Sequence, residues 1–449
     1  MIVDGGFESD KYDYSIIGGG ISGLYLAYRI LKNNNKNNNN KNMKNMKKRV
    51  IVLEKEEQFG GRIMTGFIKG NRGSLIPVSA GAGRFSKDHR LFMGLIREFG
   101  LSRSIVELSD TVVYHQINND NNGQVIIHSG ERLEMLIDRV FRGSRSLSKR
   151  ELIGMSFVSL ASRFLSSDDV QYIVDSFGYY SELVIMNSFS CLQLMRELSS
   201  RFYALRGGYM PIIDELVSRI RSLGGIVLNR AYVSDVEVSI GVGVGVSGYH
   251  LEYTRGNKLH RIYSGKCIFA IPTVSLIKFP ILRPIRSVLK ESIICAPLCR
   301  IFATYRVGLS GSVWFKGLSR VTTNNRVRMI IPISEVDGVI MISYSDHHYA
   351  RWWKSLYDRE GRRGLKREIR VGVSEAMGYQ IPDCASIEIY YWDCGVGYWT
   401  VGTDSLKVSR SLVQPAKGLY ICNENIAVSG QQWMEGSLEM AEKVFDKIV

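Results

Sequence analysis

Apolar positions along this chain fall into short runs and one-sided stripes, and their order predicts alternating strands and helices. Residues 12–17 read Tyr-Asp-Tyr-Ser-Ile-Ile and stop against three glycines, as a buried parallel strand does. A helix is expected over residues 24–31 and a second strand over 49–53. Between them, residues 32–48 consist almost entirely of Asn and Lys. That tract has no hydrophobic period and cannot contribute to a core, so it reads as a disordered insertion. Helical periodicity returns at 91–99 and 133–141, and Ile212, Ile213, Leu216, Val217 and Ile220 share one helix face. Strand-like runs occupy 225–228, 231–233, 266–272, 301–305, 327–333 and 339–344. The Gly/Val alternation of 241–248 predicts a hairpin tip, and 118–123 a polar turn. A last helix is expected over Met434–Ile448.

The first strand, turn and helix carry a specific chemistry. Gly18 permits a tight turn, Gly20 leaves room for a backbone approach to a pyrophosphate, and Gly23 lets the next helix pack close to the strand. Ile21 and Ser22 complete the turn, whose free N–H groups and positive helix end suit phosphate. An acid should follow at the end of the second strand to bind a ribose hydroxyl. Glu54 stands there, with Lys55 after it. The spacing exceeds the usual ~20 residues because of the Asn/Lys tract. Six residues beyond Glu54 come Gly60, Gly61 and Arg62, and a guanidinium there suits phosphate oxygens.

Composition adds exclusions. Of 449 residues, 45% are hydrophobic, enough for two or three globular cores. Seven scattered cysteines without a C-x-x-C pair argue against a disulfide framework and a metal site, and point to a reducing, cytoplasmic setting. No signal peptide or spanning apolar run is evident, so an intracellular soluble chain with no membrane span is expected. The formal charge is +15, and residues 32–49 supply seven Lys or Arg and no acid. A second basic stretch runs over 359–370. Without a nucleic-acid fold this reads as a loop plus a solvated helix face, and a nucleic-acid partner is not expected.

Together these motifs resemble the flavin-containing amine oxidases: monoamine, polyamine and L-amino-acid oxidases. The segment Gly-Gly-Arg-Ile-Met-Thr at 60–65 is similar to that family's G-G-R-x-x-T. Residues 204–210 resemble its G-G-M turn. The stretch from Glu424 to Gln432-Trp433-Met434-Glu435-Gly436 resembles the part that closes over the flavin ring. The resemblance implies an α/β fold with a discontinuous, Rossmann-like (GR2-type) FAD-binding domain from 1–85, 204–272 and 416–449. A mixed α+β substrate domain would come from 86–203 and 273–415. It further implies that FAD is held by the glycine turn, Glu54, Lys55, Gly60, Gly61, Arg62, Gly83, Arg84, the backbone of Val233, Glu424, Trp433 and Met434. Trp433 would form one aromatic wall, and Tyr398 with Trp399 the opposite wall.

Residues 81–101 resemble the L-amino-acid oxidases most. Arg84 would there pair with a substrate carboxylate, or equally brace the flavin. Arg300 falls where the family often has a lysine linked through water to the flavin, which puts rapid reaction with oxygen in doubt. Cys394 falls near the thioether tether of monoamine oxidases, and Gly395 stands where those enzymes have a cage tyrosine. The implied activity is oxidation of the C–N bond of a small amine or L-amino acid by hydride transfer to flavin N5. The imine is then hydrolysed, with oxygen or another acceptor reoxidising the flavin. The alternatives are a desaturase-like enzyme acting on a C–C bond and a binding or structural protein with a degenerate pocket. Oligomeric state is left open.

Overall fold

The strand Lys11–Ile17 lies between two parallel neighbours, Val50–Leu53 and Lys258–Phe269. Such a strand is covered on both faces, which is why its apolar run does not alternate. The computed structural model describes residues 10–38, 48–118, 123–197, 201–241, 245–308 and 311–449. The middle of the Asn/Lys tract and the tips of the turns at 118–123 and 241–248 lie outside them.

Ile226–Leu228 extends the sheet beyond Val50–Leu53, and Leu419–Ile421 pairs in parallel with the end of Lys258–Phe269. The start of that long strand instead runs antiparallel with Gly245–Arg255, which pairs with Tyr232–Gly241. One seven-stranded sheet thus gathers strands from residue 11 to residue 421. Helices Ile21–Asn38, Met210–Ser222 and Met434–Ile448 cover it, burying Leu24, Ile212 and Leu438 in the same core.

The first helix differs from the expectation. It runs to Asn38, seven residues beyond residue 31. Once nucleated, a helix propagates through Asn and Lys at small cost per residue. An ion pair also anchors the start of this extension, Lys32 to Glu98 at 2.5 Å. The expected disorder over 39–47 falls outside the described residues.

A second seven-stranded sheet has the order Ser386–Trp399, Ile293–Thr304, Val339–Asp346, Met329–Ser334, Arg320–Thr323, Val112–Asn118, Gln124–His128. The helix His347–Met377 packs on it through Trp353, Leu365 and Ile369, with a break at Gly361 (φ 59°). The basic stretch 359–370 lies on this helix, and much of its charge is paired: Arg362 with Glu388, Arg367 with Glu360, Arg370 with Asp383. Exposed pairs of this kind add little stability, but they match a solvated face. Helices between Glu131 and Glu197 form a third core that includes Tyr398.

Around residue 85 the layers interleave. The hairpin Thr65–Lys69 and Leu75–Ser79 packs Ile68 and Val78 on Phe302 and Met341 of the second sheet. Helix Arg90–Glu98 returns to the core of the first sheet with Phe92, Leu95 and Ile96. Among the described residues no helix is long and apolar enough to cross a membrane.

Candidate active site

A cavity of about 570 Å³ runs from the first glycine turn into the space between the two sheets. Its entrance is built by backbone. Gly18 has φ 112°, a conformation closed to most side chains, and a Cβ there would overlap the Ala270 carbonyl. A Cβ on Gly23 would overlap the Gly18 carbonyl oxygen, so this position sets helix-to-strand spacing and does not itself line the cavity. Gly20 meets nothing nearer than Gly60 O at 3.9 Å and faces open space beside Ile21 and Ser22. Gly60 bridges to Gly20, and Gly60 and Gly61 both take positive φ.

Glu54 closes this end. Its carboxylate accepts from Gly19 N–H at 2.7 Å and Glu56 N–H at 2.9 Å. Burial raises its pKa, and the two N–H donors only partly offset that. Lys55 pairs with Glu56 at the rim, at 3.1 Å. Val233 is buried on the facing wall, beside a bulge before Asp235.

The two chain ends are joined at the middle of the cavity. Arg62 grips Glu424 with two prongs, Nη1 to Oε1 at 2.5 Å and Nη2 to Oε2 at 2.6 Å. Its Nη1 also donates to the Gly395 carbonyl at 3.3 Å. Glu424 additionally accepts from Asn425 Nδ2 at 2.6 Å. The guanidinium is therefore committed to protein acceptors as well as facing the cavity.

Beyond this pair the walls become aromatic. Trp433 stacks on Phe202 at 5.5 Å between centroids and 9° between planes, with His89 edge-on at 5.1 Å. Burial lowers the His89 pKa to about 4, so its ring is neutral packing. Arg84 lies over the other side of this group, 4.2 Å from the Phe202 ring, and forms no ion pair among the described residues. A Cβ on Gly83 beside it would lie 3.1 Å from Arg300 Nη1, a tight contact from which the guanidinium would have to yield by a few tenths of an ångström. Arg300 is buried, donates Nη1 to Ser79 O at 2.7 Å, and lies 4.5 Å over the Tyr344 ring. Met434 lines the cavity as the first residue of the last helix. Glu435 turns away and accepts Leu91 and Phe92 N–H, both at 2.9 Å, satisfying the start of helix Arg90–Glu98.

Of the expected aromatic pair, only Tyr398 reaches the cavity. Trp399 is fully buried in the nucleotide core and donates Nε1 to Ala427 O at 2.9 Å. Successive strand residues point to opposite faces, so these two could not share a wall.

Two further departures concern Cys394 and Gly395. Cys394 lines the cavity but is bonded to Cys295, so its sulfur is not a free thiol for a tether. The bridge also departs from the expectation of a reducing setting without a disulfide framework; the other five cysteines are free and buried. A side chain on Gly395 would overlap Leu298 Cβ, where the paired strand bulges. A tyrosine side chain at this position would meet the paired strand. Gly395→Tyr should cost about 1–3 kcal/mol by overpacking, read as a lower denaturant midpoint.

Sequence reasoning missed Glu182, Tyr179 and Tyr344, which also line the cavity. Glu182 sits on the one-turn helix Tyr180–Val184, whose first N–H groups donate to Asp346 at 3.2 and 2.7 Å. Nothing in the local pattern of Gly-Tyr-Tyr-Ser-Glu marks it; only the fold turns it inward.

The residues fit a large flavin nucleotide. A glycine cradle opens at one end. Buried polar atoms without partners among the described residues line the rest: Gln432 Nε2, Trp433 Nε1, Asn423 Oδ1 and Glu182 Oε2. Such orphans are costly unless a ligand satisfies them.

Comparison with known proteins agrees with this geometry. Residues 16–99 match the family model described as NAD(P)-binding Rossmann-like domain. No curated protein sequence matches the chain. Among solved structures, wild-type putrescine oxidase bound to putrescine is 15% identical, covering 98% of this chain and 99% of that one, with a TM-score of 0.72. A double mutant from a structure-based redesign of cofactor binding in putrescine oxidase matches over the same shares at 15% identity, TM-score 0.71. The chain thus has the two-sheet fold of putrescine oxidase.

Proposed function

We propose that this chain is an FAD-dependent oxidoreductase of the flavin-containing amine oxidase family, acting on the C–N bond of a small amine or amino acid. The observation that carries the reading is one cavity shared by both ends of the chain, which the Arg62–Glu424 pair joins. Gly18 to Ser22, Glu54, Gly60, Gly61, Arg62, Val233, Glu424 and Met434 are the groups that would hold FAD. When bound, FAD supplies the two-electron acceptor that takes hydride from the carbon beside the amine nitrogen.

The chain's own residues do the rest. Trp433, Tyr398 and Tyr344 wall the inner chamber and exclude water, which disfavours reprotonation of the amine once it is neutral and protects the imine until release. Arg84 is steadied by the Phe202 face and free to meet a carboxylate. Arg300 cannot take up a proton relay because a guanidinium stays charged. It orients the wall through Ser79 O and Tyr344.

The test is direct. Purified protein should be yellow and should bleach anaerobically with members of an amine and amino-acid panel. A yellow protein inert to all of them would remove the oxidative reading, and oxygen consumption against dye reduction identifies the acceptor. Arg84→Ala should raise KM for a carboxylate substrate about tenfold or more, the loss of a charge-assisted contact of roughly 1.5–3 kcal/mol, with flavin content unchanged. Loss of flavin instead would make Arg84 a cofactor brace.

A further inference from the structure

Four acidic residues line the cavity among the described residues, and three are already engaged. Glu54 accepts two backbone N–H groups, Glu56 meets Lys55 at the exposed rim, and Glu424 is gripped by Arg62. The fourth, Glu182, is buried, and its Oε2 has no hydrogen-bond partner among the described residues. It lies in the inner chamber with Trp433, Tyr398, Tyr179 and Arg84.

We propose that Glu182 is the general base of the reaction, its Oε2 taking one proton from the ammonium of the incoming substrate. The inference rests on the oxidative reading of the cavity. An N–H bond of the ammonium breaks, an O–H bond forms on Glu182, and the nitrogen lone pair is left free to assist hydride departure from the neighbouring carbon. No electrons move in this step.

The surroundings suit the task. A general base works best with a pKa near the working pH. Burial, then the Asp346 carboxylate, raise Glu182 to about 8, while Arg84 and Arg320 pull it down. Cys191, Tyr179 and Tyr398 are the other titratable groups facing it. Burial pushes Cys191 and Tyr398 well up, so neither competes as a base at neutral pH. Tyr179 competes in principle. Burial alone would raise it, but Arg84 and Arg320 bring it below its ordinary value.

The test compares wild type, Glu182→Gln and Tyr179→Phe as flavin-loaded proteins, on whichever amine bleaches them. For wild type, kcat/KM should rise through a limb near pH 8. Glu182→Gln should lose the limb and about 100-fold in kcat/KM at pH 8, within the range of a lost general base. Above the substrate's own ammonium pKa, where the amine arrives neutral, the variant should converge on wild type. A merely structural residue would show no such convergence.

An infrared titration of cofactor-free protein gives a second readout. It should show a buried carboxyl band lost near pH 8 in wild type and missing in Glu182→Gln. Retention of the limb in Glu182→Gln with its loss in Tyr179→Phe would overturn the proposal. So would an effect confined to KM for substrates with a second ammonium, which would make Glu182 a distal anchor. Colourless protein with a normal carboxyl titration would instead count against the flavin reading.

Discussion

Arg62→Ala should yield protein that is nearly colourless and less stable by about 3 kcal/mol or more. The size follows from what is left behind. Glu424 is buried and would keep only the Asn425 amide after losing both guanidinium contacts. Removing one partner of a buried pair typically costs 3–5 kcal/mol, because a charge stays desolvated without compensation. The same guanidinium also holds the Gly395 carbonyl. Its loss loosens the point where residues 60–62, the strand Ser386–Trp399 and the segment after Leu419–Ile421 converge. Flavin content should fall for that reason even where the fold survives. Denaturant midpoints of the cofactor-free proteins separate the two effects. Arg62→Lys should restore charge without the two-pronged geometry and fall between wild type and alanine. A stable, fully yellow Arg62→Ala protein would show that the chain ends meet without this pair.

The second large effect is a pH dependence of stability. With a native value near 8 against an ordinary 4.5, native Glu182 holds its proton across a window in which the unfolded chain has released it. The native state then binds more protons than the unfolded state, so stability falls as pH rises through that window and levels off above about 8. At ~1.4 kcal/mol per pH decade the ceiling is roughly 5 kcal/mol, and water entry or relaxation lowers it. Glu182→Gln removes the titration while keeping shape. It should match wild type near pH 4.5 and exceed it by about 2 kcal/mol or more at pH 8, as chemical denaturation of cofactor-free protein can measure. The two predictions on this residue point in opposite directions, a gain in stability beside a loss in turnover. That is the pattern of a group kept for chemistry at a cost to the fold.

Local order alone determined much of this protein. The strand at 11–17, the glycine turn, Glu54 and the helix Met434–Ile448 were legible because each is a short pattern whose meaning depends on near neighbours. Periodicity of two or 3.6 and the special backbone needs of glycine are local properties. The cofactor end of the cavity is made of such segments, so nearly all of its expected residues line one space.

What tertiary structure decided is the chamber beyond it. Whether Tyr398 or Trp399 faces inward depends on strand register, a one-residue matter that aromatic content cannot fix. Gly395 has no room for a side chain because Leu298 occupies that space from the paired strand. Cys295 and Cys394 meet across those same strands from 99 residues apart. Glu182 becomes a poised base only through its burial, then through Asp346, Arg84 and Arg320, which three separate segments bring to it. Side-chain chemistry is written in the sequence, but burial and partner charge set its protonation, and both are created by contacts between distant parts of the chain.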